Sequence, residues 1–193
     1  MSRIIAGSCR GRRLSMPAGS ATRPTSDRVR EAVFTSLVSW LGTAGEDPAT
    51  TMAGIGLLDL YAGSGAIGLE AASRGAERVL LVEQDRRTTD LARRNADELG
   101  LAVRTRTARV EHLAAEPPAT PYDIIWLDPP YELAAEAVDA VLADLVAHGW
   151  LAESALVVLE RSKRSADPVW PDIITEQWTK TYGETRIHYG MAG

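Results

Sequence analysis

Asp59-Leu60-Tyr61-Ala62-Gly63-Ser64-Gly65-Ala66-Ile67-Gly68 is the stretch that decides the fold of this chain of 193 residues. Ahead of it, the apolar run 55–61 predicts a buried strand, and after it residues 66–74 predict a helix. Its glycines have the spacing G-x-G-x-x-G, which lets a backbone turn tightly and approach a ligand closely. A strand, a glycine-rich turn and a helix in this order indicate a nucleoside site at the carboxyl end of a strand in an α/β sheet.

Strands and helices continue to alternate after this unit. Apolar runs and one weaker alternating pattern predict strands, and apolar residues at helical spacing predict the helices between them. The predicted strands are 78–83, 103–107, 122–128 and 155–160, and the predicted helices are 87–99 and 134–147. Such alternation is typical of a parallel sheet with helices on both faces, so the predicted fold class is α/β, doubly wound and mostly parallel. Ile173–Tyr182 and Glu184–Tyr189, on either side of Gly183, predict a closing antiparallel pair.

A different pattern precedes the glycine-rich unit. Residues 2–14 predict a short strand pair with arginines at its turn. Ser26 is placed to cap a helix that runs to residue 41, and residues 42–54 predict a loop. We therefore expect an N-terminal extension, residues 1–41, followed by a main domain, residues 55–193.

Charge is distributed unevenly along the chain. The net charge is −5, yet residues 1–30 carry +6, which leaves −11 for the remainder. The arginines of this segment are Arg3, Arg10, Arg12, Arg13, Arg23, Arg28 and Arg30, against the single acid Asp27. Charge alone leaves two interpretations open: a face that meets a polyanion, and a solvated cluster that keeps the segment soluble.

Composition disfavours several classes of protein. With 45% apolar and 24% charged residues, the chain falls in the ordinary globular range. The single cysteine, Cys9, excludes an internal disulfide, and the three histidines lack ligand spacing, so we expect no metal. There is neither a signal-peptide pattern nor an apolar run of about 20 residues, so we expect a cytoplasmic protein with no membrane partner. The lack of an unusual apolar surface stripe favours a monomer.

Two carboxylates accompany the glycine-rich loop and narrow its ligand. Glu83 ends the second strand twenty residues after Gly63, which suits an acid that grips a ribose diol. Asp59 ends the first strand just before the loop, where it would repel a pyrophosphate and attract the ammonium and sulfonium of S-adenosylmethionine. The charge therefore favours the methyl donor over a nicotinamide dinucleotide. For Gly68, the alternative to ligand contact is close packing of the helix on the sheet.

A second constellation, Asp128-Pro129-Pro130-Tyr131, follows the predicted strand 122–128. Two consecutive prolines stiffen the loop and leave its carbonyls as acceptors. If Asp128 and a carbonyl near Pro129 accept the two N–H groups of an exocyclic amine, its lone pair can turn toward a sulfonium methyl. Tyr131 can stack on the base, a contact worth about 1–3 kcal/mol. The alternative is a plain Pro-Pro turn with a capping aspartate.

Together these residues resemble a known family. The glycine loop, Glu83 and the Asp128–Tyr131 motif are similar to those of class I, Rossmann-like amino-methyltransferases. RIIAGSCRGRRL (3–14), TRPTSDRVREAVFTSL (22–37) and YGETRIHYG (182–190) narrow the resemblance to bacterial 16S ribosomal RNA guanine-N2 methyltransferases of the RsmD type. The N-terminal pieces are the specific ones, because the Asp128–Tyr131 motif is shared with DNA amino-methyltransferases.

The resemblance implies a fold, a reaction and a partner. It implies a seven-stranded sheet with an N-terminal hairpin and helix that contact RNA. It implies transfer of a methyl group from S-adenosylmethionine, leaving S-adenosylhomocysteine, to N2 of one guanine in small-subunit RNA, position 966 by conventional counting. The partner is then 16S ribosomal RNA or the assembling small ribosomal subunit.

The residues and the resemblance together give a candidate site. The candidate cofactor residues are Asp59, Tyr61, Gly63, Ser64, Gly65, Gly68, Glu83, Gln84, Ala108, Arg109 and Asp128, with Arg23 and Thr25 in a turn over the pocket. The candidates at the target amine are Asp128, Pro129, Pro130 and Tyr131. Arg10, Arg12, Arg13 and Arg28 are the candidate RNA contacts, since guanidinium groups suit phosphates. The family commonly places an acid or amide on the adenine, where this chain has Ala108 and Arg109, so backbone groups would serve there.

Other functions remain open from the sequence. The same chemistry could act on adenine N6 in DNA, although the chain is short for a target-recognition domain, or on glutamine in protein, where asparagine typically replaces the aspartate. A nicotinamide-dependent oxidoreductase would use Gly63–Gly68 and Glu83 but leaves the Asp128–Tyr131 motif unexplained. A non-catalytic RNA-binding module would need neither constellation.

Overall fold

The described chain forms a seven-stranded β-sheet covered by helices, with a small two-stranded hairpin beside it. The computed structural model describes residues 2–17 and 26–193. The strands are β1 (Ser2–Arg3), β2 (Arg13–Leu14), β3 (Gly56–Leu60), β4 (Arg78–Glu83), β5 (Arg104–Thr107), β6 (Tyr122–Leu127), β7 (Leu151–Ser162), β8 (Ile174–Tyr182) and β9 (Thr185–Ala192). The helices are α1 (Asp27–Trp40), α2 (Ala66–Ser73), α3 (Arg86–Leu99), α4 (Val110–Ala114) and α5 (Ala135–Ala147).

Seven strands form one sheet in the order β5-β4-β3-β6-β7-β9-β8. The first five in this order are parallel, and β9 runs antiparallel between β7 and β8. The chain moves outward from β3 through β4 to β5 and then returns to the other side of β3 as β6. This reversal opens a crevice between the carboxyl ends of β3 and β6, where open α/β sheets bind ligands. The predicted doubly wound, mostly parallel sheet is confirmed.

Helices cover both faces of the sheet and bury two apolar clusters. Leu57 and Leu58 of β3 are both fully buried but belong to different clusters, because successive residues of a strand point to opposite faces. The cluster of Leu57 includes residues of α1, α2 and α3, and that of Leu58 includes residues of α4 and α5. Burial on both faces explains why β3 is apolar throughout except at Asp59.

The N-terminal residues, which the sequence predicts to be an extension, pack into the same apolar cluster as the sheet. Ser26 caps α1 by accepting a hydrogen bond from a first-turn N–H at 3.3 Å, and Phe34 of that helix is fully buried against the sheet. The N–H groups of Ile5 and Ala6 donate to the two carboxylate oxygens of Glu70, at 2.7 and 3.0 Å. Because Glu70 lies on α2, the hairpin of β1 and β2 is fixed to the helix that follows the glycine loop.

Three features differ from the elements predicted by the sequence. The short helix α4 has no predicted counterpart, because five residues hold too few apolar positions for a periodic pattern. β7 begins before the predicted 155–160, since Leu151 already pairs with Tyr122 across an irregularity, and β9 continues to Ala192. The other predicted elements are confirmed to within about a residue at each end. Among the described residues, no helix combines the length and apolarity needed to cross a bilayer.

Candidate active site

The register of the sheet brings three predicted site residues to one level. Tyr61 and Asp128 directly follow β3 and β6, and Glu83 ends β4. The pairing of β3 with β4 and with β6 is continuous to the ends of these strands, so the three side chains meet at the same edge. Parallel pairing alone therefore joins the end of the glycine-loop strand to the Asp128–Tyr131 motif.

Both predicted constellations line a single cavity of about 300 Å³ at this edge. That volume lies at the lower end of the range in which small-molecule sites fall, about 300–1,000 Å³. The predicted residues that line it are Asp59, Tyr61, Gly63, Ser64, Glu83, Gln84, Asp128, Pro129, Pro130 and Tyr131. A ligand in the cavity can therefore contact the glycine loop and the proline loop together.

The glycine loop forms one wall of the cavity. Gly65 caps α2 at a φ of 81°, a left-handed conformation that glycine adopts without strain. The Gly63 N–H donates to Glu83 Oε2 at 3.1 Å, while Glu83 Oε1 accepts from the N–H of Asp85 at 2.9 Å. These bonds hold the Glu83 carboxylate against the loop. Each of its oxygens has a second lone pair with which to accept a ligand hydroxyl.

Gly68 lies behind the loop and does not line the cavity. A Cβ at this position would stand 2.2 Å from Leu81 Cδ2 and 2.9 Å from Val79 Cγ1, so any other residue would force these side chains or α2 to shift. The Gly68 N–H also donates to Asp59 Oδ2 at 2.9 Å. Its immediate contacts are thus with the sheet and with Asp59. Gly65 is likewise absent from the cavity wall, since its Cβ position faces Leu81.

Asp59 is the buried acid of the cavity. The residue is only 1% exposed to solvent. Burial raises the pKa of Asp59 from its ordinary value of 3.8 to about 7, with a smaller contribution from the negative charge of Glu83, while the Gly68 N–H acts in the opposite direction. A cation in the cavity would favour the charged form of this acid. The site is therefore electrostatically suited to a positively charged ligand.

Tyr61 turns the chain out of β3 in a conformation unusual for a side-chain-bearing residue, with a φ of 61°. Its hydroxyl donates to Glu111 Oε1 at 3.3 Å, which ties the end of β3 to α4. Burial and the nearby Glu111 carboxylate both raise the pKa of Tyr61, so the phenol stays protonated. Strained backbone of this kind is often found at functional sites, where surrounding contacts maintain it.

The proline loop forms the opposite wall. The Asp128 N–H donates to the Leu60 carbonyl at 3.4 Å, which extends the parallel pairing by one residue. Pro129 is buried, and Tyr131, at the far end of the motif, is 50% exposed at the cavity mouth. The Pro130 carbonyl accepts from the Leu133 N–H at 3.0 Å, which closes the loop into a turn. The motif thus presents an acid, a stiff backbone and an exposed aromatic ring to one opening.

Some predicted residues lie outside the cavity or outside the described chain. The Ala108 N–H donates to the Glu83 carbonyl at 3.0 Å, and Arg109 forms an ion pair with Glu111 at 3.5 Å. Neither Ala108 nor Arg109 lines the cavity. Their contact with an adenine stays a prediction. Arg23 and Thr25 belong to the segment that the structure does not describe.

The four predicted RNA-contacting arginines are all exposed. Arg10 and Arg13 belong to the hairpin, and Arg28 lies on the first turn of α1. Arg12 donates to the Glu98 carbonyl at 2.8 Å and so lies against the end of α3. Their exposure leaves the hairpin arginines accessible to a polyanion.

Several residues at the site could not be predicted from a local pattern in the sequence. Met16, Pro17, Thr88 and Trp126 also line the cavity. Asn95 joins two of its walls: its Nδ2 donates to the Ser15 and Ser64 carbonyls at 3.0 Å each, and its Oδ1 accepts from the Ser15 N–H at 2.9 Å. These contacts join positions far apart in the chain, so no local spacing indicates them.

Comparison with known proteins identifies relatives along almost the whole chain. The family described as "Conserved hypothetical protein 95" matches residues 2–191. The ribosomal RNA small subunit methyltransferase D of Escherichia coli is 37% identical over 173 residues, which cover 88% of this chain and 79% of that protein. The structure of yhhF from Escherichia coli, assigned as a methyltransferase, superposes with a TM-score of 0.81 at 32% identity and covers 99% of this chain and 97% of that one.

A more distant structure shares the fold alone. It is the Thermus thermophilus 16S rRNA N2 G1207 methyltransferase RsmC, in complex with AdoMet and guanosine. It is 20% identical with a TM-score of 0.64, and the match covers 91% of this chain and 45% of that one.

Proposed function

Since this chain belongs to the family of the ribosomal RNA small-subunit methyltransferase D proteins, we propose that it methylates the exocyclic N2 of one guanine in 16S ribosomal RNA, at position 966 by conventional counting. Family membership by itself makes the chain an S-adenosylmethionine-dependent methyltransferase of small-subunit ribosomal RNA. The choice of base, atom and position is the proposal. One observation carries the choice of an exocyclic amine as the acceptor: the glycine loop and the Asp128–Tyr131 motif line the same cavity.

The cavity residues suit the cofactor that the family uses. Asp59 offers a buried carboxylate to a cationic group, and Glu83 offers lone pairs to a ribose diol. Gly63 has no atom within 4 Å of its Cβ position, so the loop backbone leaves room for a ligand there. When bound, S-adenosylmethionine supplies an electrophilic methyl group on a positively charged sulfur.

The proline loop is suited to hold an aromatic amine. The Asp128 carboxylate and the Pro129 carbonyl can accept its two N–H groups, which draws the nitrogen lone pair out of conjugation with the ring. Tyr131, exposed at the mouth, can stack on the base and support it there. Positioning and electrostatics are the main requirements, because the nitrogen becomes strongly acidic once alkylated and its proton can pass to Asp128 or to water.

The N-terminal extension favours a nucleic-acid acceptor over a protein one. Its exposed arginines, Arg10, Arg12, Arg13 and Arg28, are available to phosphates on a chain whose remainder is acidic. The hairpin is fixed to α2 through Glu70, so its arginines keep a set position relative to the glycine loop. Phosphate contacts of this kind position a nucleic acid and leave selection of the base to the cavity.

A methyl-acceptor comparison tests the proposal. The purified chain is incubated with tritiated S-adenosylmethionine and, in separate reactions, with small ribosomal subunits lacking the modification, naked 16S RNA, duplex DNA and a protein mixture. We expect label in RNA, recovered as N2-methylguanosine after digestion to nucleosides. Label recovered as N6-methyladenosine, or label in DNA or protein with none in RNA, contradicts the proposal.

A further inference from the structure

A buried arginine lies behind the proline loop, next to a buried glutamate at the end of a largely apolar strand. Arg161 follows Glu160 near the end of β7, and its residue is 5% exposed. Its Nη2 donates to the Leu133 carbonyl at 2.9 Å, and its Nη1 lies 3.5 Å from the Pro130 carbonyl. One guanidinium therefore spans both ends of the turn that follows Asp128 and Pro129.

Burying the Arg161 guanidinium costs desolvation free energy that a purely structural residue at this position need not incur. Removing a guanidinium from water is unfavourable unless it gains hydrogen bonds in return, and an apolar side chain of similar length would fill the same space without that cost. The neighbouring core positions Leu156–Leu159 of the strand are filled in that apolar way. The two carbonyls that Arg161 does contact belong to the loop that carries the motif.

The contacts also determine which loop carbonyl is available to a substrate. The Pro130 carbonyl accepts from the Leu133 N–H and faces Arg161. Within the described chain, the Pro129 carbonyl accepts no hydrogen bond. A loop held at Pro130 and Leu133 leaves the Pro129 carbonyl available to the target amine.

We propose that Arg161 is a positioning residue for methyl transfer, which fixes the 128–133 loop so that the Asp128 carboxylate and the Pro129 carbonyl face the cavity. The proposal rests on the proposed function, since it takes that loop as the one that holds the amine. Arg161 itself does not line the cavity. It acts through the loop, and a small displacement of reacting groups is enough to slow a reaction by about 100-fold.

Three variants test this role. Arg161→Met removes both donors and the charge, and Arg161→Lys keeps the charge but replaces the planar fork of donors by a compact ammonium that bridges two carbonyls less well. Arg164→Met, at an exposed arginine three residues further on, is the matched control. For each, kcat and KM for RNA are measured at saturating S-adenosylmethionine, with the Kd for S-adenosylhomocysteine and the Tm of the same preparation.

We expect Arg161→Met to lower kcat by about 10- to 100-fold, with the Kd for S-adenosylhomocysteine changed less than threefold. Arg161→Lys should fall between it and the wild type, and Arg164→Met should match the wild type. A merely structural role would lower Tm and leave kcat per folded molecule unchanged, and that result overturns the proposal. If Arg161→Met does not fold, a wild-type kcat in Arg161→Lys overturns it equally.

The same experiment separates this proposal from the proposed function. The wild-type reaction with RNA tests the function, because it fails if no label enters RNA. Should the wild type instead label another acceptor, the variants are compared on that acceptor. A kcat defect there supports the role of Arg161 although the choice of substrate was wrong, and an undiminished kcat overturns the role.

Discussion

Replacing Asp59 by asparagine should make the unliganded protein more stable and the cofactor complex weaker. Asp59 is buried, and its pKa is raised from 3.8 to about 7, mainly by burial. The folded state therefore binds a proton more tightly than the unfolded chain, so the fold loses stability as pH rises from about 4 to about 7. Above pH 7 the full cost of the buried charge is present, and the Asp59→Asn variant removes it.

The size of this effect follows from the two pKa values. A rise from 3.8 to about 7 corresponds to about 4 kcal/mol against the folded state above pH 7. The asparagine Oδ1 can still accept the Gly68 N–H, but the amide is polar and its own burial offsets part of the gain. We expect a net gain of about 2 kcal/mol, or a rise of about 4–8 °C in Tm for a chain of this size.

Affinity for the cofactor should change in the opposite direction. A hydrogen bond to a charged group contributes about 1.5–3 kcal/mol, so removing the charge should raise the Kd for S-adenosylhomocysteine by about 10- to 100-fold. In the wild type, binding that needs the ionised acid weakens by about tenfold for each pH unit below 7. In Asp59→Asn this pH dependence should disappear.

The assay is isothermal titration with S-adenosylhomocysteine from pH 5.5 to 8, with thermal unfolding of the unliganded protein at pH 8. Asp123→Asn is the matched control, because Asp123 also accepts a backbone N–H, that of Gly56 at 2.6 Å, but does not line the cavity. The control should leave affinity unchanged. Wild-type affinity in Asp59→Asn, or a wild-type affinity that is flat across this pH range, would refute this role for Asp59.

Three further sets of substitutions test other parts of the molecule. Asp128→Ala should abolish methyl transfer to RNA while the Kd for S-adenosylhomocysteine stays within a few-fold; turnover near the wild-type rate would remove its assigned role. Gly68→Ala places a Cβ 2.2 Å from Leu81 Cδ2 and should lower stability by about 1–3 kcal/mol, measured by denaturant unfolding; an unchanged midpoint would contradict the packing argument. Replacing Arg10, Arg12 and Arg13 by glutamine should raise KM for RNA and flatten the dependence of log K on log salt by about 0.7–0.9 for each phosphate that is no longer neutralised, whereas an unchanged slope would mean that these arginines do not bind RNA.

Local pattern in the sequence predicts most of the sheet and the centre of the site. Leu57 and Leu58 are buried on opposite faces of one strand, so β3 is apolar in sequence because it is covered on both sides. The glycine spacing, Glu83 and the Asp128–Tyr131 motif all lie at strand ends, and parallel pairing brings strand ends together. Residues that follow neighbouring parallel strands therefore lie close together although they are far apart in the sequence.

Contacts that depend on distant parts of the chain could not be predicted in this way. Asn95 joins Ser15 to Ser64, and Arg161 reaches back to the proline loop, but each is a single polar residue in its own segment. Gly68 fits two roles by spacing alone, and only its 2.2 Å approach to a leucine side chain reveals how tightly it packs on the sheet. Met16 and Pro17 line the cavity only because the hairpin folds back onto α2 and α3.

The most direct measurement is position-resolved mass spectrometry of 16S ribosomal RNA from cells that lack this chain, complemented with the wild type or with Asp128→Ala. We predict one methyl group at N2 of guanine 966 that is absent in the deletion, returns with the wild type and does not return with Asp128→Ala. An unmodified guanine 966 in cells complemented with the wild type, or its full methylation in cells complemented with Asp128→Ala, would contradict the account.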